Sequence, residues 1–218
     1  NEGKIFEGSV VIVDELIDEI LEADALPSGV CDEIIDAQGH YLIPGVIDDH
    51  VHFRDPGLTH KADMHTESIA AVAGGVTSYM DMPNTNPQTT TIEALNDKFA
   101  DAAQKSVANY SFYFGATNNN EGVLAHLDKK RVCGIKLFMG SSTGNMLVDR
   151  MDSLKYIFAH ANMLIATHCE AQDIINENIA IYKGKYDEDL DIKYHPLIRD
   201  ERACYESSAL AVKLAKET

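Results

Sequence analysis

The sequence predicts an α/β fold, namely part of a (β/α)8 barrel of the TIM type preceded by part of a small β domain. Apolar, strand-like runs recur roughly 30 residues apart and alternate with helical segments, which is typical of βα units around a parallel sheet. Val132–Met139 is apolar on both faces, as expected for a strand covered on both sides. A closed barrel needs about eight units and typically roughly 250 residues. This chain of 218 residues supplies about five, so we expect it to be truncated at both ends.

The first 43 residues are predicted to form part of the small β domain. Ser9–Val13 and Glu33–Asp36 are rich in β-branched residues, which favour strands. Leu16–Leu21 and a turn at Pro27–Gly29 lie between them. The predicted domains are therefore 1–43 for the β domain and 44–218 for the barrel units.

From Leu42 onward, the chain is predicted to alternate strands with helices. The five strands are expected near residues 42–50, 75–82, 109–117, 132–139 and 162–168. The helices between them are expected at Thr66–Ala73, Ile92–Ala103, Glu121–Leu127 and Asp152–Ala159. The charged segment 177–191 is predicted to be a surface excursion. Arg202–Lys216 is predicted to be an amphipathic helix with apolar Ala209, Val212 and Ala215.

The composition predicts a soluble, cytoplasmic protein. Hydrophobic residues make up 45% of the chain, and no apolar stretch reaches the ~18 residues needed to span a membrane. The N-terminal residues lack the apolar core of a secretion signal, and four widely separated cysteines are interpreted as reduced thiols. A net charge of −17 disfavours binding to nucleic acid and to anionic membranes. An anionic substrate would therefore need a locally placed cation.

The most informative motif is His50-Val51-His52, which follows the apolar run Tyr41–Asp48. Because side chains alternate along a strand, histidines at i and i+2 leave it on the same side. Two converging imidazoles make half of a metal site, and imidazole suits zinc and other divalent transition metals. His168 ends the fifth predicted strand, where barrels of this type place their functional residues. Any one of these histidines alone could be a simple polar strand end, but together they favour a metal site.

Lys136 is the most unusual residue chemically, because it lies in the middle of the apolar run Gly134–Phe138. A buried ammonium group is costly unless it is paired. One interpretation is that its side chain extends to the strand end and reaches solvent. The other is that burial lowers its pKa and the neutral amine takes up carbon dioxide as a carbamate. That product is a carboxylate long enough to bridge two metal ions.

Arg54 and Asn84 are the candidate substrate-binding residues. Arg54 lies two residues beyond His52 and would share its face if the strand continued. A guanidinium group can hold a carboxylate through two parallel hydrogen bonds. Asn84 follows the second strand in Met82–Pro87, and a string rich in asparagine and proline is typical of a turn.

In combination, these motifs resemble the amidohydrolase superfamily. The resemblance begins with a strand ending in Pro-Gly-x-x-Asp-x-His-x-His at residues 44–52 and covers nearly the whole chain. Arg54, the Pro56-Gly57 turn and Met-Pro-Asn-Thr-x-Pro at residues 82–87 are similar to the dihydroorotases, as is Gly-Gly-Val-Thr at 74–77. The resemblance implies a hydrolase of cyclic amides that interconverts (S)-dihydroorotate and N-carbamoyl-L-aspartate in de novo pyrimidine (UMP) biosynthesis.

The resemblance also implies a role for each site residue. Two divalent metal ions, expected to be zinc, are held by His50, His52, His168 and a bridging carboxylated Lys136, while Arg54 and Asn84 bind the substrate carboxylate. The metals activate a bridging hydroxide for attack on the scissile carbonyl. One further histidine ligand is absent from the chain, and the general acid/base is an aspartate expected beyond Thr218. The fragment alone is therefore expected to be inactive.

Two alternatives and several partners remain open at this point. A dihydropyrimidinase, hydantoinase or allantoinase would share the metals but would not need the Arg54 and Asn84 pair. A non-catalytic dihydroorotase-like scaffold subunit would be expected to have lost metal ligands, and this chain keeps those that it could contain. We expect a small-molecule substrate and a homo-oligomer, with aspartate carbamoyltransferase as an alternative partner, and neither nucleic acid nor a membrane.

Overall fold

The computed structural model describes residues 3–140, 145–186 and 188–218. The chain divides into two compact units, Asn1–Pro44 and Gly45–Thr218. Within the described ranges, no helix combines the length and the apolar character needed to cross a lipid bilayer.

The first unit contains an antiparallel hairpin of β1 (Gly8–Val13) and β2 (Leu16–Glu22). Leu16–Leu21, which separates the two β-branched runs, is part of β2. The prediction of a strand at Glu33–Asp36 is wrong, because these residues form no regular structure. Only Asp14 and Glu15 separate the strands, and Asp14 has a left-handed φ of 54°. Two-residue hairpin turns require such a conformation, and an aspartate tolerates it better than most residues do.

The second unit is built on a five-stranded parallel sheet with helices between its strands. The strands are β3 (Val46–Val51), β4 (Val76–Asp81), β5 (Asn109–Gly115), β6 (Val132–Phe138) and β7 (Ile165–His168), in consecutive order across the sheet. The intervening helices are α1 (Met64–Ala73), α2 (Ile92–Lys105), α3 (Glu121–Leu124) and α4 (Met151–His160). Since consecutive parallel strands joined by helices are the repeating unit of a TIM-type barrel, the predicted fold class is confirmed, with five βα units present.

The hydrophobic core is centred on strands β5 and β6, whereas the edge strand β3 is more exposed to solvent. Phe112, Phe114, Ile135 and Leu137 on β5 and β6 have no exposed surface, whereas Ile47 on β3 is 61% exposed. The helices are fixed at their first turns by capping side chains that accept backbone N–H groups. These caps are Asp63 for α1 and Thr91 for α2, which accept from Thr66 and Ala94 respectively.

The first barrel strand begins later than predicted, at Val46 instead of residue 42. Pro44 has no amide hydrogen to donate to a strand ladder. At Gly45 the backbone passes so close to β4 that a Cβ atom would lie 2.0 Å from the Thr77 hydroxyl oxygen. Strand pairing therefore starts only after these two residues.

The region after β7 also differs from its prediction. Most of the charged segment 177–191 is helical, because α5 spans Gln172–Lys185. Its buried Ile174 and Ile175 pack against Ala203 of α7 (Glu201–Glu217), the predicted C-terminal helix. A short 3-10 helix and α6 connect α5 to α7, at Ile192–Tyr194 and His195–Ile198. The buried face of α7 consists of Ala203, Ser207, Ala211 and Leu214, so Ala209, Val212 and Ala215 of the predicted stripe face outward.

Candidate metal and carboxylate site

The candidate residues lie at the carboxyl ends of the parallel strands. His50 and His52 come at the end of β3, Asn84 follows β4, and Lys136 and His168 lie on β6 and at the end of β7. In open α/β sheets and TIM-type barrels, ligands bind at this edge. The fold therefore puts every predicted site residue on the side of the sheet where function is expected.

His50 and His52 form a close pair, with ring centroids 5.4 Å apart. His50 is exposed, whereas His52 is half-buried. Burial lowers the pKa of His52, and the positive charges of Arg54 and His50 lower it further, although Asp81 and Asn84 partly oppose this shift. A lowered pKa favours the neutral imidazole, which is the form that binds a metal ion.

A buried ion pair lies behind this histidine pair. The Asp81 carboxylate, at the end of β4, accepts a hydrogen bond from the Phe53 backbone N–H through Oδ1 at 2.9 Å. Its Oδ2 lies 2.6 Å from the Nζ of Lys98, and both side chains are almost fully buried. Lys98 comes from α2, also donates to the Met82 carbonyl at 3.1 Å and lies over the Phe112 ring. Sequence analysis missed this pair, because nothing in the spacing of Asp81 and Lys98 signals their contact.

Arg54 lies beyond the end of β3, in a backbone conformation that the sequence does not predict. The strand does not continue to Arg54, which was the condition for a shared face with His52, since β3 ends at Val51 and Arg54 has a left-handed φ of 65°. Its positive charge contributes to the lowered pKa of His52, which lies two residues earlier in the chain. The Asn84 side chain also interacts with His52, and its Oδ1 is buried without a hydrogen bond among the described residues.

Lys136 is buried in β6, with 3% of its surface exposed. It pairs with Gly115 on one side and Ala166 on the other, and its Nζ lies 5.1 Å from the centroid of the Phe138 ring. Among the described residues, no carboxylate oxygen lies within 4 Å of this Nζ. Burial lowers the pKa of Lys136, an effect that the neighbouring Cys169 opposes. The interpretation that this side chain extends to solvent does not fit its burial.

His168 ends β7 beside Phe138 of β6, whose ring centroid lies 6.0 Å from its own. Its Nε2 is 2.8 Å from Oε2 of Glu170, and Arg199 donates to Oε1 of the same carboxylate from Nε at 2.7 Å. The hydrogen bonds from Arg199 are the main reason that the pKa of Glu170 is lowered. Sequence analysis missed Glu170 and Arg199, although Glu170 follows His168 by only two residues and so lies at the same strand end.

The candidate residues thus form two groups at one edge of the sheet. Arg54 and Asn84 follow β3 and β4, on the side of His50 and His52, whereas Lys136 and His168 belong to the neighbouring strands β6 and β7. Within the described ranges, no three histidine, cysteine, aspartate or glutamate side chains are placed to hold a metal ion. The available donors are two adjacent imidazoles, a third on β7 and the buried amine of Lys136, which has no carboxylate within 4 Å among the described residues, and this chemistry fits part of a divalent-metal site.

Comparison with known proteins adds the family context. The dihydro-orotase-like family matches residues 39–197. The dihydroorotase of Methanothermobacter thermautotrophicus is 31% identical over 185 residues, which are 83% of this chain and 41% of that protein. An allantoinase of Desulfitobacterium hafniense is 37% identical over 164 residues, which are 72% of this chain and 36% of the allantoinase.

Among solved structures, the L-hydantoinase (dihydropyrimidinase) of Arthrobacter aurescens superposes with a TM-score of 0.87 and 27% sequence identity. That superposition covers 99% of this chain and 48% of the hydantoinase. The chain therefore spans less than half the length of the relatives that it matches.

Proposed function

This chain belongs to the dihydro-orotase-like family, and we propose that it supplies the metal-binding and carboxylate-binding part of a dihydroorotase. The reaction would be the reversible hydrolysis of (S)-dihydroorotate to N-carbamoyl-L-aspartate, in de novo pyrimidine biosynthesis in the cytoplasm. The observation that carries this proposal is that the loops bearing Arg54 and Asn84 follow the adjacent strands β3 and β4, beside His50 and His52, and are joined by a hydrogen bond from the Asn86 N–H to the Pro56 carbonyl at 3.0 Å. A cation and an amide beside an imidazole pair suit a cyclic amide that carries a carboxylate.

Arg54 and Asn84 would orient the substrate. A guanidinium group binds a carboxylate through two parallel hydrogen bonds, which fixes the plane of the ligand as well as its position. The Asn84 amide adds hydrogen-bonding capacity, and its buried Oδ1 has no partner among the described residues that would compete with a ligand. Binding energy at the carboxylate would thus be used to align the scissile amide.

His50, His52, His168 and a carboxylated Lys136 would hold divalent metal ions, which we propose to be two zinc ions. When bound, such ions polarise a carbonyl group and lower the pKa of water to about 7. The chain's own contribution includes the burial of His52 and Lys136, which lowers the pKa of each and so makes loss of its proton less costly. A neutral buried amine is also the form that takes up carbon dioxide.

An allantoinase or hydantoinase activity is the second candidate. It is favoured by the 37% identity to the D. hafniense allantoinase and by the superposition on L-hydantoinase. Allantoin and hydantoin are neutral five-membered rings without the carboxylate of dihydroorotate, so Arg54 would have no anion to bind. A scaffold subunit without activity is less consistent with the retained His50, His52 and His168. A homo-oligomer and an aspartate carbamoyltransferase partner remain proposals.

The test compares substrates on the chain completed to eight βα units, hereafter the eight-unit enzyme. Arg54→Gln is expected to lower kcat/KM for dihydroorotate roughly 30-fold, because losing a charge-assisted hydrogen bond costs about 2 kcal/mol. Turnover of dihydrouracil, the same ring without the carboxylate, should change little. Metal content, measured by mass spectrometry, should stay constant. Arg202→Gln is the matched control, since Arg202 is exposed on α7. Faster wild-type hydrolysis of hydantoin or allantoin than of dihydroorotate would contradict the assignment.

The 218 residues by themselves are expected to show no turnover of carbamoyl aspartate. The described strands lack a complete metal-binding cluster, and Ile47 on the outer strand β3 is 61% exposed. Unpaired strand edges with apolar surface also promote association. Activity and light scattering of the purified chain are the measurements. Metal-dependent ring closure by this chain alone would refute the expectation.

A further inference from the structure

The loop that carries Arg54 is tied to the loop that carries Asn84. We name residues 54–58 the Arg54 loop and residues 83–87 the Asn84 loop. The backbone N–H of Asn86 donates to the carbonyl of Pro56 at 3.0 Å. Gly57 has a left-handed φ of 82°, and a Cβ atom there would lie 1.9 Å from the Asn86 carbonyl oxygen. Only glycine allows the two loops to approach this closely.

The Arg54 loop is also anchored to two helices through Asp55. This carboxylate is 3% exposed and accepts from the Met64 backbone N–H, at the start of α1, at 3.3 Å. It also pairs with the Nζ of Lys105, the last residue of α2, at 3.1 Å. Lys105 has a second carboxylate partner, Asp101, at 3.1 Å, but Asp101 is exposed and contacts neither loop by hydrogen bond.

Arg54 therefore lies between two fixed neighbours. Phe53 is held through its N–H by Asp81, and Asp55 is held through its side chain by α1 and α2. The Arg54 carbonyl accepts from the Leu58 N–H at 3.0 Å, which closes the loop on itself. A left-handed backbone at a residue other than glycine costs about 1–3 kcal/mol and persists only when its surroundings impose it. The hydrogen bonds and the ion pair that hold Phe53 and Asp55 provide these surroundings.

We propose that Asp55, Gly57 and Lys105 are positioning residues that fix Arg54 relative to Asn84, so that both reach one carboxylate of the substrate. None of the three needs to touch the substrate. The inference rests on the proposed function, because it takes that carboxylate as the ligand of the pair. Two-point recognition depends on a fixed separation, and a displacement of about 1 Å can cost on the order of 100-fold in rate.

The test replaces Asp55 with asparagine in the eight-unit enzyme. Asp55→Asn keeps the size of the side chain and an acceptor for Met64 but removes the charge that Lys105 contacts. We expect KM for dihydroorotate to rise at least tenfold, whereas kcat/KM for dihydrouracil should stay within twofold. Lys105→Met should reproduce this pattern. Asp101→Asn is the matched control because it removes the other partner of Lys105, and it should leave both substrates within twofold.

Amide hydrogen exchange gives a measurement that does not depend on turnover. Asp55→Asn and Gly57→Ala should speed exchange at the Leu58 and Asn86 amides, which donate within and between the two loops, and Asp101→Asn should not. Equal losses for dihydroorotate and dihydrouracil would mean a general structural role and would overturn the inference. Unchanged amide hydrogen exchange, or an unchanged KM for dihydroorotate, in Asp55→Asn and Lys105→Met would also overturn the inference. A wild-type enzyme that does not prefer dihydroorotate refutes the proposed function instead, and exchange then decides whether Asp55 couples the loops.

Discussion

Lys136→Met is expected to abolish turnover in the eight-unit enzyme and to reduce its metal content. Lys136 is buried in β6, burial lowers its pKa, and no described carboxylate lies within 4 Å of its Nζ. Burial makes the neutral amine more accessible, and under the proposed function that amine would take up carbon dioxide and supply a carboxylate ligand to the metal ions. Methionine has a similar volume and needs no partner, so the fold should survive while the ligand is lost.

The measurements are metal content per chain, activity and intact mass. The wild type should carry the added mass of a carboxyl group on Lys136 when metal is bound. In Lys136→Ala, short-chain carboxylic acids should restore part of the activity, because they can occupy the space of the carbamate. Lys155→Met is the matched control, since Lys155 is exposed on α4 and lies away from the strand ends. Full metal content and activity in Lys136→Met would refute the role of Lys136 as a ligand.

Local sequence patterns predicted where the strands end, and with them much of the candidate site. His50, His52 and His168 were located by apolar runs that stop at a histidine, and this signal needs no knowledge of the rest of the fold. The same is true of the burial of Lys136, which follows from its apolar neighbours. Strand alternation and burial are properties of a few consecutive residues, and sequence shows them directly.

The conformation of Arg54 could not be predicted in this way. Its left-handed backbone lies between two long-range contacts, of Phe53 with Asp81 28 residues away and of Asp55 with Lys105 50 residues away. Helix α5 was missed for a related reason, because its polar surface hides two isoleucines whose partner, Ala203, comes from α7. Such contacts arise only when the chain has folded, so tertiary structure overrides the local pattern.

Lys98→Met is expected to lower the free energy of unfolding by about 3–5 kcal/mol, the usual cost of breaking a buried ion pair by removing one partner. The Nζ of Lys98 lies 2.6 Å from Oδ2 of Asp81, and neither side chain is more than 1% exposed. Apart from the Nζ of Lys98, Asp81 Oδ2 has no partner among the described residues, so the substitution would leave a buried carboxylate uncompensated. The same carboxylate holds the Phe53 N–H, and His52 should therefore lose part of its fixed position.

The free energy of unfolding of the eight-unit enzyme is measured in urea. Lys213→Met is the control, because it shows the effect of replacing a lysine that has no buried partner. Lys213 is exposed and 3.9 Å from Glu217, a pair worth about 0.3–0.5 kcal/mol.

The double variant Lys98→Met, Asp81→Leu should recover part of the lost stability, because removing both charges leaves no unpaired ion in the core. It should not recover activity, since leucine cannot accept the hydrogen bond from Phe53. A single variant as stable as the wild type would mean that Asp81 finds another partner. Restored activity in the double variant would mean that the Phe53 hydrogen bond does not position the histidine pair.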